Sequence, residues 1–308
     1  MIVAAVIILV ALGSVIFHFF SPWFFTPIAS NWGNIDTTIT ITFLITGIVF
    51  VVVLFFTGYC VVKYRKRDGH TAEYEPENKK LESWLIGLTT IGVVGLLAPG
   101  LFVWSQYVSV PDDAAEIEVV GRQWEWSYRF PGNDGQLGIT DVRYINDVNP
   151  FGVNPDDPNG QDDVLVEFED LHLPIGQPVK VLLRSIDVLH DFWVPEFRAK
   201  MDLVPGLVSF FWFTPTRDGT YDILCAELCG SGHFAMRSTV VIEDEADYQA
   251  WLAEMPTFAQ SQEEAGIGER EVRRLAARAQ SGGEEGSNLV TGHADAANMQ
   301  AADRRIAR

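Results

Sequence analysis

The sequence predicts a membrane-anchored all-β protein: helices that cross a bilayer, then a β-sandwich or barrel, then a disordered tail. Three observations carry that prediction. Three apolar stretches lie within the first 107 residues, and short strand-like runs follow from about residue 108 to 245. Nearly all the negative charge sits in that second region.

The apolar stretches cover residues 2–20, 39–62 and 84–107, and none contains Asp, Glu, Lys or Arg. Each is close to the roughly 20 residues that a helix needs to cross a bilayer core. Lys63, Arg65, Lys66 and Arg67 follow the second stretch at once. Basic loops stay on the cytoplasmic side. The second helix therefore runs inward and the third outward, which puts everything after about residue 108 outside the cytoplasm. A multi-pass protein on the periplasmic face of a bacterial inner membrane is expected. Trp104 and Tyr107 suit an outer aromatic belt. The first stretch could instead be a signal peptide, but it lacks a basic leader and a small-residue cleavage site. A retained helix is expected.

Residues 108–258 carry 27 acidic and nine basic side chains, a net of −18 out of the chain's −19. That excess disfavours nucleic acid or an anionic surface as a partner and suits a cationic one. Within this region EIEVVGRQWEWSYRF, DVLVEFED, PVKVLLRS, VSFFWFTP, GTYDILCAE and RSTVVIED read as strands bounded by turn formers. Several such runs in series indicate a sandwich or barrel. Residues 131–163 form a long loop-like tract rich in Pro, Gly, Asn and Asp. A short helix is expected at about 244–254. Residues 259–308 lack the apolar content for a core and are expected to be mostly disordered. The expected organisation is an anchor at 1–107, a β domain at 108–258 and a polar tail at 259–308.

The chain has three cysteines, too few for a disulfide-built fold. Cys60 lies in an apolar run. The other two fall in Cys225-Ala-Glu-Leu-Cys229-Gly-Ser-Gly-His233-Phe-Ala-Met236, with His190 upstream in Asp187-Val-Leu-His190. Two thiolates, two imidazoles and a thioether are soft to borderline donors, which suit copper. A mononuclear blue-copper site needs one Cys, two His and a weak Met. A second Cys four residues on allows two thiolates to bridge a pair of ions. A disulfide between Cys225 and Cys229 competes with this reading, as does zinc, although zinc leaves the Met unexplained.

These residues give the chain its resemblance. Over roughly residues 35–255 it resembles subunit II of the cytochrome c oxidases, in which anchoring helices precede a cupredoxin-like domain with the dinuclear CuA centre. Asp187 to Pro195, Lys200-Met-Asp-Leu-Val-Pro-Gly206 and Gln123-Trp124-Glu125-Trp126-Ser127-Tyr128 match family motifs, except that the family usually has Tyr where Glu125 stands. The resemblance implies that Cys225 and Cys229 bridge the coppers and that His190 and His233 each bind one. Met236 and the backbone oxygen of Glu227 would be the weak axial ligands. The Glu227 carboxylate would bind Mg²⁺ or Mn²⁺ shared with subunit I. Trp124 would receive electrons from cytochrome c, or from a membrane-bound c-type cytochrome. Glu82 would stand at the mouth of a proton path, although Trp84 falls one place earlier than the family's tryptophan.

The implied enzyme is a proton-translocating oxidase that reduces O₂ at haem and copper in subunit I, with subunit III as a further partner. A CuA-bearing subunit of a nitric oxide reductase and a membrane-anchored copper carrier for oxidase assembly are the alternatives. No C-x-x-C-H occurs, so no covalent haem is expected in this chain. The 131–163 tract is longer than is usual in the family and departs from its sequence; residues 131–170 hold ten acidic side chains and one basic, which makes Asp134, Asp141 and Asp147 candidate docking charges for a basic cytochrome.

Overall fold

The structure is a computed structural model that describes residues 2–21, 26–71, 74, 76–146 and 148–266. Three helices, α1 (Ile2–Phe20), α2 (Gly33–Lys63) and α3 (Lys79–Tyr107), are long and apolar enough to cross a membrane. The last two begin five or six residues before the apolar runs that announce them. Polar side chains extend both helices. Thr37, Thr38 and Thr40 each donate a hydroxyl to the carbonyl four residues back, so they need no outside partner. Asn78 caps α3 by accepting the Leu81 amide.

Among the described residues ten strands follow: β1 (Ala115–Arg122), β2 (Glu125–Phe130), β3 (Val164–Glu167), β4 (Leu171–Pro174), β5 (Val179–Ser185), β6 (His190–Val194), β7 (Ala199–Leu203), β8 (Ser209–Phe213), β9 (Gly219–Cys225) and β10 (Arg237–Glu243). They form two five-stranded sheets, ordered β3–β2–β1–β5–β8 and β4–β10–β9–β6–β7. β1 with β5 and β4 with β10 are parallel pairs; β5–β8, β6–β7, β6–β9 and β9–β10 are antiparallel. In β5 the side chains of Val179, Val181 and Leu183 are buried, while Lys180, Leu182 and Arg184 between them are partly exposed. This two-residue period is what a strand with one covered face requires. The helix α4 (Glu245–Glu254) comes close to the expected 244–254.

The described chain forms two compact units. One comprises the residues up to Tyr128 and Val166–Glu254. Its core holds Val119, Tyr128, Phe192, Phe211, Phe213, Ile223 and Val240. The anchor joins it through aromatic side chains. Trp32 donates its indole N–H to the Trp212 carbonyl at 2.9 Å, and Trp212 donates to the Gln106 carbonyl at 2.9 Å. Tyr107 stacks on Phe211 with ring centroids 5.8 Å apart. Trp104 is exposed as a belt residue should be, but Tyr107 is buried. The sequence places Tyr107 in the belt; the ring turns inward because Trp32 and Phe211 offer it an aromatic seat.

The second unit comprises Arg129–Leu165 and the residues from Met255 on. Among the described residues its 131–163 tract has no long strand, as expected, yet it is well tied. Bridges join Thr140 to Val153 and Asn146 to Asn149. A Cβ on Gly138 would lie 2.2 Å from the Gly160 Cα, so only glycine lets the two backbones touch. Helix α5 (Phe258–Glu264) starts with a capping box made by Thr257 and Gln260, and its Gln262 donates to the Val148 carbonyl at 2.6 Å. Part of the expected disordered tail is thus helical, because the capping pair and buried Phe258 are local signals that bulk composition hides. Residues 267–308, the rest of that tail, lie outside the described residues.

The Asp163 carboxylate, fully buried, accepts from Arg129 at 2.5 Å and from the Gly138 amide at 3.0 Å. Burial pushes this carboxyl up to about 6, against the pull of Arg129. Breaking a buried pair leaves an uncompensated charge, so Asp163→Ala is expected to destabilise the protein by about 3–5 kcal/mol. A denaturant titration of purified wild type and variant measures this; equal midpoints contradict it.

Candidate metal centre

The site is built where β6, β9 and β10 meet. β9 ends on Cys225, and β10 returns antiparallel from Arg237, paired with Leu224. The Cys225 amide donates to the Met236 carbonyl at 3.3 Å and closes the base of the loop. Between them the chain turns tightly. His233 N–H reaches Gly230 O at 3.2 Å, and Ala235 N–H reaches Gly232 O at 2.9 Å. Gly230 has a φ of +122°, a conformation open to glycine. β6 lies beside β9 with Phe192 opposite Cys225, which brings His190 up to the loop from the other side.

The sequence-predicted donors come together. The two sulfurs are 3.7 Å apart, and both cysteines are free. Cys225 Sγ lies 3.9 Å from His190 Nδ1 and 3.2 Å from the Glu227 carbonyl oxygen. Cys229 Sγ lies 3.6 Å from His233 Nδ1 and 3.8 Å from Met236 Sδ. Each sulfur therefore faces the other, one imidazole nitrogen and one weak donor. Among the described residues, His190, Cys225 and Cys229 are the cluster of His, Cys, Asp or Glu donors close enough to hold an ion. Glu227 offers its backbone oxygen here; its carboxylate joins no such cluster.

Electrostatics favour a cation at this point. Burial, then the nearby Cys225, pushes the Cys229 thiol up to about 12. Two adjacent thiolates in a half-buried loop need a bound positive charge to persist. His190 is fully buried, and its Nε2 bonds to Asp187 Oδ1 at 2.8 Å. Burial alone would raise the Asp187 carboxyl. The bonds from His190 and from the Gln123 and Val188 amides outweigh it and hold the carboxyl below the usual range. Asp187 thereby fixes the tautomer whose Nδ1 lone pair faces Cys225. The donor chemistry and this orientation fit copper. Losing such an orienting partner typically costs about 10- to 100-fold in metal affinity. Asp187→Asn is expected to weaken copper binding on that scale in a competition titration; unchanged affinity counts against the orienting role.

Trp124 lies over the loop. Its indole N–H meets Cys229 O at 3.3 Å, and the Gln123 side-chain amide donates to the same oxygen at 2.7 Å. A Cβ on Gly232 would be 2.3 Å from the indole, so the ring rests directly on that glycine. Trp124 is 40% exposed. Trp126 alternates inward, buried edge-to-face against Phe192 and His190. Several contributors were not apparent in the sequence: Gln123, Gly232, and the exposed Leu228 and Phe234, which stand between the donors. The last two carry no periodic signal, being loop residues.

The other candidates are placed as follows. Glu82 sits in the first turn of α3, exposed, with its carboxylate 3.4 Å from the Asn78 amide. Asp134 is exposed and accepts the Gln136 amide at 2.8 Å. Asp141 forms a fork with Arg143, which lowers its carboxyl to about 2 and offsets its charge. Asp147 lies outside the described residues.

A membrane-anchored β-sandwich with paired thiolates, imidazoles and a thioether in one loop defines a cupredoxin-type metalloprotein. The sequence model of "Cytochrome C oxidase subunit II, periplasmic domain" matches residues 115–244. The chain is 61% identical over 259 residues to the "Alternative cytochrome c oxidase subunit 2" of Bradyrhizobium diazoefficiens, spanning 84% of this chain and 94% of that one. It is 29% identical over 208 residues to cytochrome c oxidase subunit 2 of Cereibacter sphaeroides, spanning 63% of this chain and 67% of the relative. Among solved structures it is similar to the periplasmic domain of subunit II of cytochrome oxidase of Bradyrhizobium japonicum, at 25% identity and a TM-score of 0.35, over 47% of this chain and 95% of that one. The chain belongs to the cytochrome c oxidase subunit II family, an assignment that rests on the 61% relative.

Proposed function

We propose that this chain takes electrons from cytochrome c and passes them to haem in subunit I of a respiratory oxidase, which reduces O₂ to water. The observation that carries the reading is the donor arrangement itself: two cysteine sulfurs facing each other, each with its own imidazole and weak donor. Cys225 and Cys229 would hold the two coppers between them, with His190 and His233 each holding one and Met236 and the Glu227 carbonyl as weaker donors. When bound, such a pair would supply a one-electron carrier that changes little between its redox states, which allows fast transfer at small driving force.

The protein's own residues do the rest. The closed β9–β10 loop fixes the donors, Asp187 orients His190, and Trp124 offers a flat apolar contact joined to the loop through Cys229 O. The acidic β region attracts a basic donor cytochrome, and Asp134, Asp141 and Asp147 would contribute. The Glu227 carboxylate would meet Mg²⁺ or Mn²⁺ together with residues of subunit I, since hard cations take oxygen ligands. The functional domains would be the anchor to residue 107, the copper domain at 108–258 and the tail beyond. Purifying the intact complex and assaying O₂ against NO consumption tests the reading. O₂ consumption driven by reduced cytochrome c is expected; NO reduction without O₂ consumption overturns it.

Glu82 would pass protons inward from the cytoplasmic side toward subunit I. Its place at a helix start also stabilises the helix dipole, which is the competing role. Glu82→Ala is expected to slow proton uptake during reduction of the complex while leaving the copper signal intact. Unchanged uptake and turnover would leave the dipole role as the better account.

A further inference from the structure

Outside the metal loop, a heavily bonded side chain joins the anchor to the β-sandwich. Arg198 sits at the apex between β6 and β7, eight residues after His190. Its backbone is left-handed, with φ of +55° and ψ of +20°, a conformation that disfavours any residue with a Cβ. The side chain offers compensation. Nε and Nη2 form a fork on Asp36, in the first turn of α2, at 2.6 and 2.7 Å. Nη2 also reaches Thr26 O at 2.7 Å, Nη1 reaches Thr26 Oγ1 at 3.2 Å, and Nη1 also reaches Pro195 O. Paired forks of this kind fix geometry as well as adding energy.

The segment before α2 is stitched to the sandwich on the same side. Ala29 N–H donates to Glu196 O at 2.8 Å, Asn31 N–H to Thr214 O at 3.1 Å, and Thr216 N–H to Ala29 O at 2.9 Å. Ser30 Oγ donates to Phe197 O at 2.7 Å. The β6–β7 hairpin is then a short strut. At about 3.4 Å per residue its five-residue strands span roughly 17 Å. Arg198 holds one end to the helix start, and at the other end His190, paired with Leu203, reaches the metal loop.

We propose that Arg198 is a positioning residue for electron transfer: by clamping the β6–β7 apex to Asp36 it fixes the distance and attitude of the metal loop relative to the membrane helices. This rests on the reading of the loop as the copper centre. Transfer between fixed centres falls steeply with separation, so a looser strut slows passage onward without altering the centre itself. Strained backbone held by its surroundings marks such roles.

The test uses the whole oxidase with Arg198→Gly, Asp36→Asn and the double variant. Glycine is at ease in the left-handed conformation, so Arg198→Gly removes the clamp without straining the turn. Each single variant is expected to slow onward passage of an electron injected at the copper centre several-fold, because a looser strut lets the loop drift away from its working separation. The copper spectrum should not change. The double variant should be no slower than the singles, because both remove one contact. In metal-free protein the Ala29, Asn31 and Thr216 amides should exchange faster in each variant. Wild-type transfer with wild-type exchange overturns the proposal, as does slowing that simply multiplies in the double variant. If the unsubstituted complex shows no dinuclear signal, the copper reading itself fails, and the exchange data still judge the clamp.

Discussion

Replacing Cys225 or Cys229 by serine is expected to abolish the two-copper signal completely. A hydroxyl is a hard, protonated donor at neutral pH and a poor bridge for soft metal ions. The geometry makes each sulfur indispensable. Cys225 faces His190 and the Glu227 carbonyl, whereas Cys229 faces His233 and Met236. Losing one sulfur leaves the other with a single imidazole close by, so at most one copper is retained. In the Cys225→Ser variant the Cys229 thiol also loses the Cys225 sulfur that, after burial, helps push it up, which favours that single-copper outcome. Both variants should fold, because serine is close to cysteine in size and the loop is held by backbone bonds. Metal analysis with electron paramagnetic resonance reads the result. A mixed-valence signal surviving in either variant rejects the bridging assignment.

Trp124→Phe is expected to slow oxidation of cytochrome c by about tenfold or more, equivalent to at least about 1.4 kcal/mol of barrier. Phenylalanine keeps the apolar contact but loses the indole N–H that meets Cys229 O. The copper spectrum and the affinity for cytochrome should stay near wild type, since Trp124 supplies none of the donor atoms and phenylalanine keeps the apolar ring over the loop. Gly232→Ala gives an independent check. Its Cβ would fall 2.3 Å from the indole, so the ring must lift off the loop, and the same slowing is expected with Trp124 itself intact. If both variants accept electrons at wild-type rates, the aromatic is only a packing group. Association with cytochrome should weaken as salt rises, as expected for steering by an acidic domain. Salt-independent association would reduce the acids to a solubilising role.

The donors were legible because metal chemistry constrains spacing. Cys225, Cys229, His233 and Met236 fall within twelve residues, and a loop closed between paired strands brings them together with little help from elsewhere. His190 needed the β6–β9 pairing, which sequence only hints at. The membrane helices were legible from composition, but their starts were not: threonines and an asparagine cap extend them beyond the apolar runs. Tyr107 was misplaced because hydropathy cannot distinguish a lipid-facing ring from one stacked on Phe211. Arg198 was invisible for a different reason. Nothing local marks a left-handed arginine, and its partner Asp36 lies 162 residues away in sequence. The same holds for Arg129 and Asp163, whose pairing depends on how the acidic tract folds back.

The central claim is that one loop holds two bridged copper ions. Copper stoichiometry and electron paramagnetic resonance of the purified, oxidised protein test it most directly. Two coppers per chain and a mixed-valence signal with the electron shared equally between them are expected. One copper per chain with a signal from a single ion, or bound zinc with no copper signal at all, would contradict it.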